Sequence, residues 1–565
     1  MRRSLVWVVC IVAGFAVEAA DRPEGRMDAT RSVVYARHGM VAAAHPVAAQ
    51  IGVDILKRGG SAVDAAIATN AALAFMEPTS CGLGGDLFAM VWDPAAEKLA
   101  GLNASGRAPS GLTRDQVPPT SQGTIPDYTP YTWTIPGCVD GWFELHGRYG
   151  RLPMAELLAP AIAAARDGVP VPQVIAGAWA RSVPYYEDLP GFAEVFMPGG
   201  AAPREGEVFA NPALANTLQL VANAGRDAFY TGTIARTLVN YSDEYGGFIS
   251  LDDLSNHRSD WVEPISTTYR GVTVWELPPN GQGLAALQML NILETFDLSS
   301  LGRANPAFWH LMIEAKKLAY ADRARFYADP DFVTVPVAAL LGKAYGRRRA
   351  DLIDPERAAR AVAAGDPTLE HGDTTFLVAA DKDGMMVSLI QSNYSGFGSG
   401  YVIPELGFGI QDRGALFNLQ EGHPNALEPG KRPFHTIIPA FMGEAGTPNV
   451  AFGVMGGSMQ PQGHVQIVVN LVDFGMNLQE AGDAPRFRHM GSSQPTGTVM
   501  VGGGSLLLES GVPAPVRRDL VRLGHRLVES TGGAFGGYQA IRRDPVTGVY
   551  AGASESRKDG MAVGY

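Results

Sequence analysis

The sequence predicts a large protein of mixed α-helices and β-strands, and two kinds of local pattern carry this prediction. Residues 374–380 and 385–392 are apolar runs rich in strand-forming side chains, and residues 381–384, Asp-Lys-Asp-Gly, separate them with turn chemistry. Residues 45–57 and 62–75 have the apolar spacing of helices instead. The chain therefore combines a tight two-stranded hairpin with core helices.

Length and composition favour one large integrated unit. The chain has 565 residues, of which 46% are hydrophobic and 18% charged, so apolar material for a buried core is ample. No Pro/Ser-rich linker or charge run divides it. The net charge of −12 disfavours nucleic acid or an anionic membrane as a partner.

The N-terminus has the pattern of a secretory signal peptide, residues 1–20. Arg2 and Arg3 precede an apolar run over residues 5–17, which is too short to cross a bilayer, and small residues close the segment. We expect an exported protein, periplasmic or secreted, with no membrane span in the mature chain. After signal removal Cys81 and Cys138 remain, and the sequence leaves open whether they form a disulfide or two buried thiols.

The hairpin places Thr374 at the start of a strand, directly after the flexible pair Gly372-Asp373. A regular pairing across the turn sets Thr374 opposite Gln391, whereas a one-residue bulge at Gly384 sets it opposite Ser392. If the bond before Thr374 were cut, this residue would carry both a hydroxyl and a free α-amine. An α-amine titrates at about 7.7 to 8.0, so it can serve as general base at neutral pH.

The region around Thr374 resembles the γ-glutamyltransferase (glutathione hydrolase) family of N-terminal-nucleophile hydrolases. The family's Asp-Lys-Asp-Gly, seven residues after its nucleophilic Thr, stands here at residues 381–384, and a second block matches at residues 54–68 and 82–85. The resemblance extends from about Arg37 to the C-terminus. It implies a four-layer αββα sandwich of the N-terminal-nucleophile hydrolase type.

The resemblance also implies a precursor that cuts itself before Thr374. Residues 21–373 would form the large subunit and residues 374–565 the small catalytic subunit of one integrated fold. Thr374 would be the nucleophile, with Ser392 bonded to it. Gly456 and Gly457 precede a run that looks helical, so their backbone N–H groups could form an oxyanion hole, although two such glycines can also form a plain turn.

Several positions that bind substrate in the family are changed here. Leu416 stands where the family has the aspartate that holds the substrate α-amine, and Arg413 stands where it has glutamine. Tyr394 replaces a substrate-binding asparagine, and His435-Thr436 replace a pair of serines. Because leucine cannot pair with an ammonium and arginine favours a carboxylate, we expect an altered specificity.

Two further features concern the substrate. The family's carboxylate-binding arginine aligns by counting with Ser105, so Arg107 is a substrate contact or a surface arginine. His435 is likewise a substrate contact or a loop histidine with its bonds satisfied. The loop over residues 418–430 is shorter than the family's lid, which favours hydrolysis over transpeptidation because an open site admits water.

Together these patterns predict an exported, self-processing amidohydrolase of γ-glutamyl or similar acyl amides such as glutathione. A glutaryl- or cephalosporin-type acylase is the alternative among enzymes, and a non-catalytic exported binding protein is the alternative from another class. No phosphate loop, His-Glu-x-x-His or Cys-x-x-Cys motif occurs, so we expect no cofactor and no metal. The expected partners are a small amide substrate and the two subunits of one precursor, with oligomerisation open.

Overall fold

The computed structural model describes residues 29–362, 366–367, 373–529 and 534–565. The predicted signal peptide lies outside these residues. In chain order the strands are β1 (Val34–Ala36), β2 (Met40–Ala43), β3 (Asp86–Asp93), β4 (Lys98–Ala104), β5 (Val169–Pro170), β6 (Val208–Phe209), β7 (Asp260–Val262), β8 (Ile265–Tyr269), β9 (Val272–Glu276), β10 (Asp366–Pro367), β11 (Asp373–Ala380), β12 (Met386–Tyr394), β13 (Val402–Ile403), β14 (Phe408–Gly409), β15 (Ala440–Glu444), β16 (Val450–Met455), β17 (Phe487–Met490), β18 (Ser493–Thr498), β19 (Ser505–Leu508), β20 (Gly537–Arg543), β21 (Tyr550–Ser554) and β22 (Met561–Gly564).

The helices are interspersed with these strands along the chain. They are α1 (Pro46–Lys57), α2 (Ala62–Met76), α3 (Cys138–Tyr149), α4 (Met154–Asp167), α5 (Gln173–Tyr186), α6 (Phe192–Phe196), α7 (Pro212–Ala224), α8 (Arg226–Tyr230), α9 (Thr233–Glu244), α10 (Leu251–Asn256), α11 (Gly283–Leu293), α12 (Leu298–Leu301), α13 (Pro306–Phe326), α14 (Val337–Leu340), α15 (Lys343–Ala350), α16 (Gln460–Val472), α17 (Leu478–Asp483) and α18 (Ala514–Arg522).

Two seven-stranded sheets form the centre of the molecule. Sheet I has the order β22-β2-β11-β12-β3-β4-β7, and sheet II has the order β1-β21-β20-β16-β15-β9-β8. Neighbouring strands in both sheets pair antiparallel. Strands β11 and β12 of the predicted hairpin lie in the middle of sheet I, and β16 is the central strand of sheet II.

Apolar side chains fill three layers between these elements. Phe376 of sheet I and Phe441 of sheet II belong to one buried cluster between the sheets. Helices α1 and α2 pack with residues of sheet I in a second cluster, and α11, α13 and α16 pack with residues of sheet II in a third. Each sheet is therefore covered on both faces, which confirms the predicted αββα sandwich.

The predicted helix boundaries follow from local capping. Ser61 and Asp64 form a reciprocal capping box at the start of α2, an arrangement worth about 1 kcal/mol. His45, which was predicted as the first residue of α1, is instead its N-cap, because its ring accepts a hydrogen bond from Val47 N. The helical run predicted after Gly456 and Gly457 is α16, which begins at Gln460. Helix α15 ends at Ala350, and residues 363–365 and 368–372, between it and Thr374, lie outside the described residues.

The hairpin adopts the bulged alternative. Ala380 pairs with Met386, and Thr375 pairs with Gln391, so the turn contains five residues. Gly384 has a φ of +94°, which glycine adopts without strain. This register brings Thr374 beside Ser392, and a second irregularity follows between Asp373 and Thr375.

Of the two alternatives, a disulfide or two buried thiols, the structure has the second: Cys81 and Cys138 are separate and buried. The Cys81 thiol lies 3.6 Å from the Glu77 carbonyl, and the Cys138 thiol lies 3.7 Å from Asn70 Oδ1. Across the described part of the chain, no helix is both long enough and apolar enough to span a bilayer.

Candidate active site

The ends of two central strands meet at Thr374. Residue Thr374 lies near the start of β11, and its Oγ1 is 3.4 Å from Ser392 Oγ on the neighbouring strand β12. From the other sheet, Gln460 follows the end of β16 and places its Nε2 3.5 Å from Thr374 Oγ1. All three side chains are fully buried. We call Thr374, Ser392, Gly456, Gly457 and Gln460 the reaction centre.

The glycine pair forms the turn between β16 and α16. Gly456 and Gly457 have φ values of +119° and +55°, in the region that glycine adopts without strain. Met459 N donates to the Gly456 carbonyl at 2.9 Å, and Gln282 Nε2 donates to the Gly457 carbonyl at 2.9 Å. Because the two groups of a trans peptide point in opposite directions, the Gly457 N–H points away from this turn. A backbone N–H that points out of a turn is suited to donate a hydrogen bond to an anion.

Gln282 connects this turn to the rest of the site, and the sequence did not single it out. Its Nε2 also donates to the Thr436 carbonyl, and its Oε1 accepts from the fully buried Arg323 guanidinium. Gln282 ends the turn before α11 and Arg323 lies on α13, so only the folded chain brings them together. Their contact fixes which way the Gln282 amide faces.

Tyr394 is held in a backbone conformation that bulky side chains rarely adopt. Its φ is +83°, and its N–H donates to Ser392 Oγ at 2.8 Å. Its ring packs against Arg413, whose Cζ lies 4.9 Å from the ring centroid. Burial raises the pKa of Tyr394 far above neutrality, so its hydroxyl stays protonated. Tyr394 thus links Ser392 to a buried cation.

Arg413 is completely buried and only partly bonded. Its Nη1 donates to Thr436 Oγ1 at 2.8 Å, and its Nε lies 3.9 Å from Asp86 Oδ2. Within the described residues, Nε and Nη2 have no hydrogen-bond partner. Burial lowers the pKa of Arg413 to about 10, which leaves it cationic at neutral pH. A buried guanidinium with two free donors is a ready site for a carboxylate.

His435 has both ring nitrogens engaged. Its Nε2 lies 2.9 Å from Asp86 Oδ2, and Ile437 N donates to Nδ1 at 3.3 Å. Burial lowers the pKa of His435 to about 4, so the ring is neutral. Burial alone raises the pKa of Asp86, but the bonds from His435 and Gln411 and the charge of Arg413 outweigh it and hold that pKa below its ordinary value. Because both ring nitrogens already have partners, these contacts favour a loop histidine with its bonds satisfied over a substrate contact.

Arg107 lies in a different environment. Its guanidinium is 2.9 Å from Asp331, 3.5 Å from Asp329 and 3.6 Å from Asp260, and its side chain is 30% exposed. Three acidic partners already surround it, which favours the surface alternative over a substrate contact. Leu416 is buried and offers no charge to a ligand. We call Tyr394, Arg413, Leu416 and His435 the recognition wall.

The short loop over residues 418–430 folds back on itself. Asn418 N donates to the Asn425 carbonyl at 2.9 Å, and Asn425 Nδ2 donates to the Leu416 carbonyl at 2.7 Å. Between this loop and α13 lies an open cleft of about 480 Å³, lined in part by Arg325 and Gln494. The loop is thereby anchored beneath Leu416.

One cluster has the residue types of a metal site. Donor atoms of His310, Glu314 and His525 lie within 4.8 Å of one another. However, His310 Nδ1 and His525 Nε2 share a hydrogen bond of 2.8 Å, and Lys317 donates to Glu314 at 2.7 Å. The cluster is organised as a hydrogen-bonded group with a buried ammonium beside it, a poor surrounding for a cation.

Comparisons with known proteins cover almost the whole chain. Residues 48–565 match the family described as Gamma-glutamyltranspeptidase. The oxamate amidohydrolase proenzyme of Klebsiella pneumoniae is 37% identical over 94% of this chain and 98% of its own length. The glutathione hydrolase-like YwrD proenzyme of Bacillus subtilis is 35% identical over 93% and 98%. The crystal structure of cephalosporin acylase from Bacillus halodurans superposes with a TM-score of 0.86, at 42% identity, over 98% of this chain and 99% of that one.

Proposed function

This chain belongs to the gamma-glutamyltranspeptidase family, and from that premise we propose that it is a self-processing amidohydrolase with Thr374 as its nucleophile. Its substrates are amides whose acyl group carries a carboxylate, and water is the preferred acceptor. Arg413 carries this proposal, because it is a buried cation with two donors that no described residue takes up. The position of Thr374 beside Ser392 and Gln460 supports the choice of nucleophile.

Maturation begins within the precursor. The Thr374 hydroxyl adds to the carbonyl carbon of Asp373, the C–N bond breaks, and the nitrogen takes the proton, which leaves an ester and a free α-amine. Water then hydrolyses the ester and releases the Asp373 carboxyl. Residues up to Asp373 become the large subunit, and residues 374–565 become the small one. The N-terminal pattern supports export of the precursor.

Turnover repeats the same chemistry on a substrate amide. The Thr374 Oγ1 attacks the amide carbon while its proton passes to the α-amine, and the proton then goes to the departing nitrogen. The Gly456-Gly457 turn would hold the developing oxyanion. Water next attacks the acyl ester, the C–Oγ1 bond breaks, and Oγ1 recovers a proton. The acid is released, and the enzyme is ready for another cycle.

The recognition wall selects the acyl group. Arg413 would bind the substrate carboxylate through Nε and Nη2, while Tyr394 covers one face of the guanidinium. Leu416 supplies no counter-charge for an α-ammonium, so an acyl group without an α-amine avoids burying an unpaired charge. This favours acylase-type substrates, and two of the similar proteins are named for such chemistry, an oxamate amidohydrolase and a cephalosporin acylase.

γ-Glutamyl amides such as glutathione are the second candidate. They also present a carboxylate, and one similar protein is named glutathione hydrolase-like. They differ from the first candidate by an α-ammonium, which would lie near a leucine. A non-catalytic binding protein is the alternative from another class, and the close approach of Thr374, Ser392 and Gln460 argues against it.

The test combines a measurement of intact mass with activity assays on a matched set of amides. Intact mass under denaturing conditions should show two fragments, the smaller beginning at Thr374. The cleaved protein is then offered glutaryl, γ-glutamyl and butyryl anilides together with oxamate. We expect a carboxylate-bearing acyl group without an α-amine to react fastest and the butyryl amide slowest. An uncut chain would overturn self-processing, and a preference for the γ-glutamyl anilide would overturn the acylase assignment. A cleaved protein inert to every amide would favour the binding protein.

A further inference from the structure

The amide of Gln460 faces the reactive oxygen itself. We propose that Gln460 is a catalytic residue whose Nε2 donates to Thr374 Oγ1 and stabilises that oxygen whenever it carries negative charge. The inference rests on the proposed function, since it takes Thr374 as nucleophile. Its geometric basis is the 3.5 Å separation between Gln460 Nε2 and Thr374 Oγ1, with both side chains fully buried.

The orientation of this amide is determined by the protein. Ile438 N donates to Gln460 Oε1 at 2.9 Å, and a backbone N–H can only donate. The oxygen must therefore face Ile438, and the NH₂ group must face Thr374. The Gln460 backbone is held as well, because Gln460 is the first residue of α16 and follows the turn at Gly457–Met459 directly. The Gln460 NH₂ group therefore points at the Thr374 hydroxyl as a hydrogen-bond donor.

Two other glutamines on α16 provide a contrast. Gln462 Nε2 donates to the carbonyls of Ser458 and His489, at 3.0 and 3.2 Å. Gln466 Nε2 donates to the carbonyls of Gln462 and Phe487, at 3.0 and 3.1 Å. Both satisfy buried backbone groups, as structural amides do. Gln460 Nε2 points instead at a hydroxyl that must give up its proton.

Two steps of the reaction need a hydrogen-bond donor next to Thr374 Oγ1. When Oγ1 attacks the substrate, it becomes negative as its proton moves to the α-amine and before its bond to carbon is complete. When the acyl ester is hydrolysed, the C–Oγ1 bond breaks and Oγ1 leaves with the electron pair before it recovers a proton. A neutral amide stabilises both states without changing its own charge with pH. The glycine turn stabilises the carbonyl oxygen, so the two donors serve different atoms.

The test uses two substitutions of similar size. In Gln460→Glu the carboxylate still accepts from Ile438 N but cannot donate to Thr374 unless it is protonated. In Gln460→Met no donor exists at any pH. We expect kcat at pH 8 to fall about 10- to 100-fold in both variants, with KM changed less than about threefold. As pH decreases, the activity of Gln460→Glu relative to wild type should recover, whereas that of Gln460→Met should not.

Gln466→Met is the matched control, because it removes a buried amide from the same helix without touching Thr374. We expect it to lower the melting temperature and to leave kcat and the pH profile of the cleaved protein unchanged. If a Gln460 variant matures too slowly to assay, its self-cleavage rate against pH provides the same readout. Unchanged kcat in both Gln460 variants, or an equal loss in Gln466→Met, would overturn the inference. An inert wild-type protein would instead overturn the proposed function.

Discussion

The reaction centre and the recognition wall lie side by side but are built differently. The reaction centre lies where central strands begin and end: Thr374 stands near the start of β11, and the two glycines follow β16. The recognition wall depends on a network between distant segments, in which Arg413 bonds Thr436 and faces Asp86, and Asp86 bonds His435. The sequence resemblance predicts that Thr374, Ser392 and the glycine pair keep the family's pattern and that the recognition wall departs from it.

This difference suggests that bond breaking and substrate choice can change separately. Ser392 accepts a hydrogen bond from the Tyr394 backbone N–H, and the Gly457 carbonyl accepts one from Gln282. The Arg413 guanidinium is linked to these groups through the Tyr394 ring and through Thr436. Substitutions in the wall should therefore alter which amide is bound, while substitutions in the reaction centre should alter the rate for every amide.

The largest effect is expected for Thr374→Ala. Without the hydroxyl neither self-cleavage nor acyl transfer can begin, so intact mass should show one uncut chain and amidase activity should fall by about 10³-fold or more. Thr375→Ser is the matched control, since it keeps the hydroxyl that donates to Glu77 at 2.7 Å. That variant should mature normally. Maturation of Thr374→Ala at the wild-type rate would show that the nucleophile lies elsewhere.

Arg413→Met should slow the turnover of substrates that carry a carboxylate and leave other substrates nearly unaffected. Loss of the charge-assisted bonds should lower kcat/KM for a glutaryl anilide about 10- to 100-fold. The butyryl anilide should change less than about threefold, because it has no carboxylate to bind. Arg107→Met provides the comparison, and we expect it to affect neither substrate by more than that. Equal losses for both anilides in Arg413→Met would contradict the division between the two regions.

The sequence predicts the fold better than the site for a physical reason. Helix periodicity, strand patterns and the hairpin turn depend on neighbours in the chain, so the helices over residues 45–57 and 62–75 and the two strands of the hairpin could be predicted. The register around Gly384 remained open, because a four- and a five-residue turn are both compatible with the same residues. The structure settles it by pairing Ala380 with Met386.

The network around the site could not be predicted, because its members are far apart in the chain. Gln282 bonds a carbonyl 175 residues away, and Gln460 contacts a hydroxyl 86 residues away. The sequence also left Arg107 and Arg413 as rival carboxylate contacts, since both are arginines in plausible segments. Burial and pairing distinguish them. Three aspartates surround Arg107, whereas Arg413 retains two unbonded nitrogens among the described residues.

A smaller effect on every amide is expected for Gln282→Glu. The carboxylate would still pair with Arg323, but it could not donate to the carbonyls of Gly457 and Thr436. The glycine turn should become less well held, and kcat should fall about tenfold with little change in KM. Steady-state kinetics on the glutaryl and butyryl anilides checks this, and the two substrates should lose activity in parallel. A loss confined to the glutaryl substrate would place Gln282 in the recognition wall instead.

The smallest effect concerns the stability of the wall and its dependence on pH. His435 has a folded-state pKa of about 4, below its ordinary value of 6.5. Between these values the unfolded chain binds a proton that the folded chain does not, so this residue lowers the free energy of unfolding as pH falls from 6.5 towards 4. The loss for a completely buried ring is of the order of 2 kcal/mol.

His435→Gln tests this contribution, because glutamine can still donate to Asp86 but does not titrate. Melting temperatures of wild type and variant are compared from pH 7.5 to pH 4.5. We expect the variant to be less stable at pH 7.5, since it packs less well against Phe88, whose ring centroid lies 4.7 Å from that of His435. The difference in melting temperature between wild type and variant should become smaller as the pH falls. Parallel curves would mean that folding leaves the pKa of His435 unchanged, and a difference that widens on acidification would mean that the folded protein holds the ring protonated in an ion pair with Asp86.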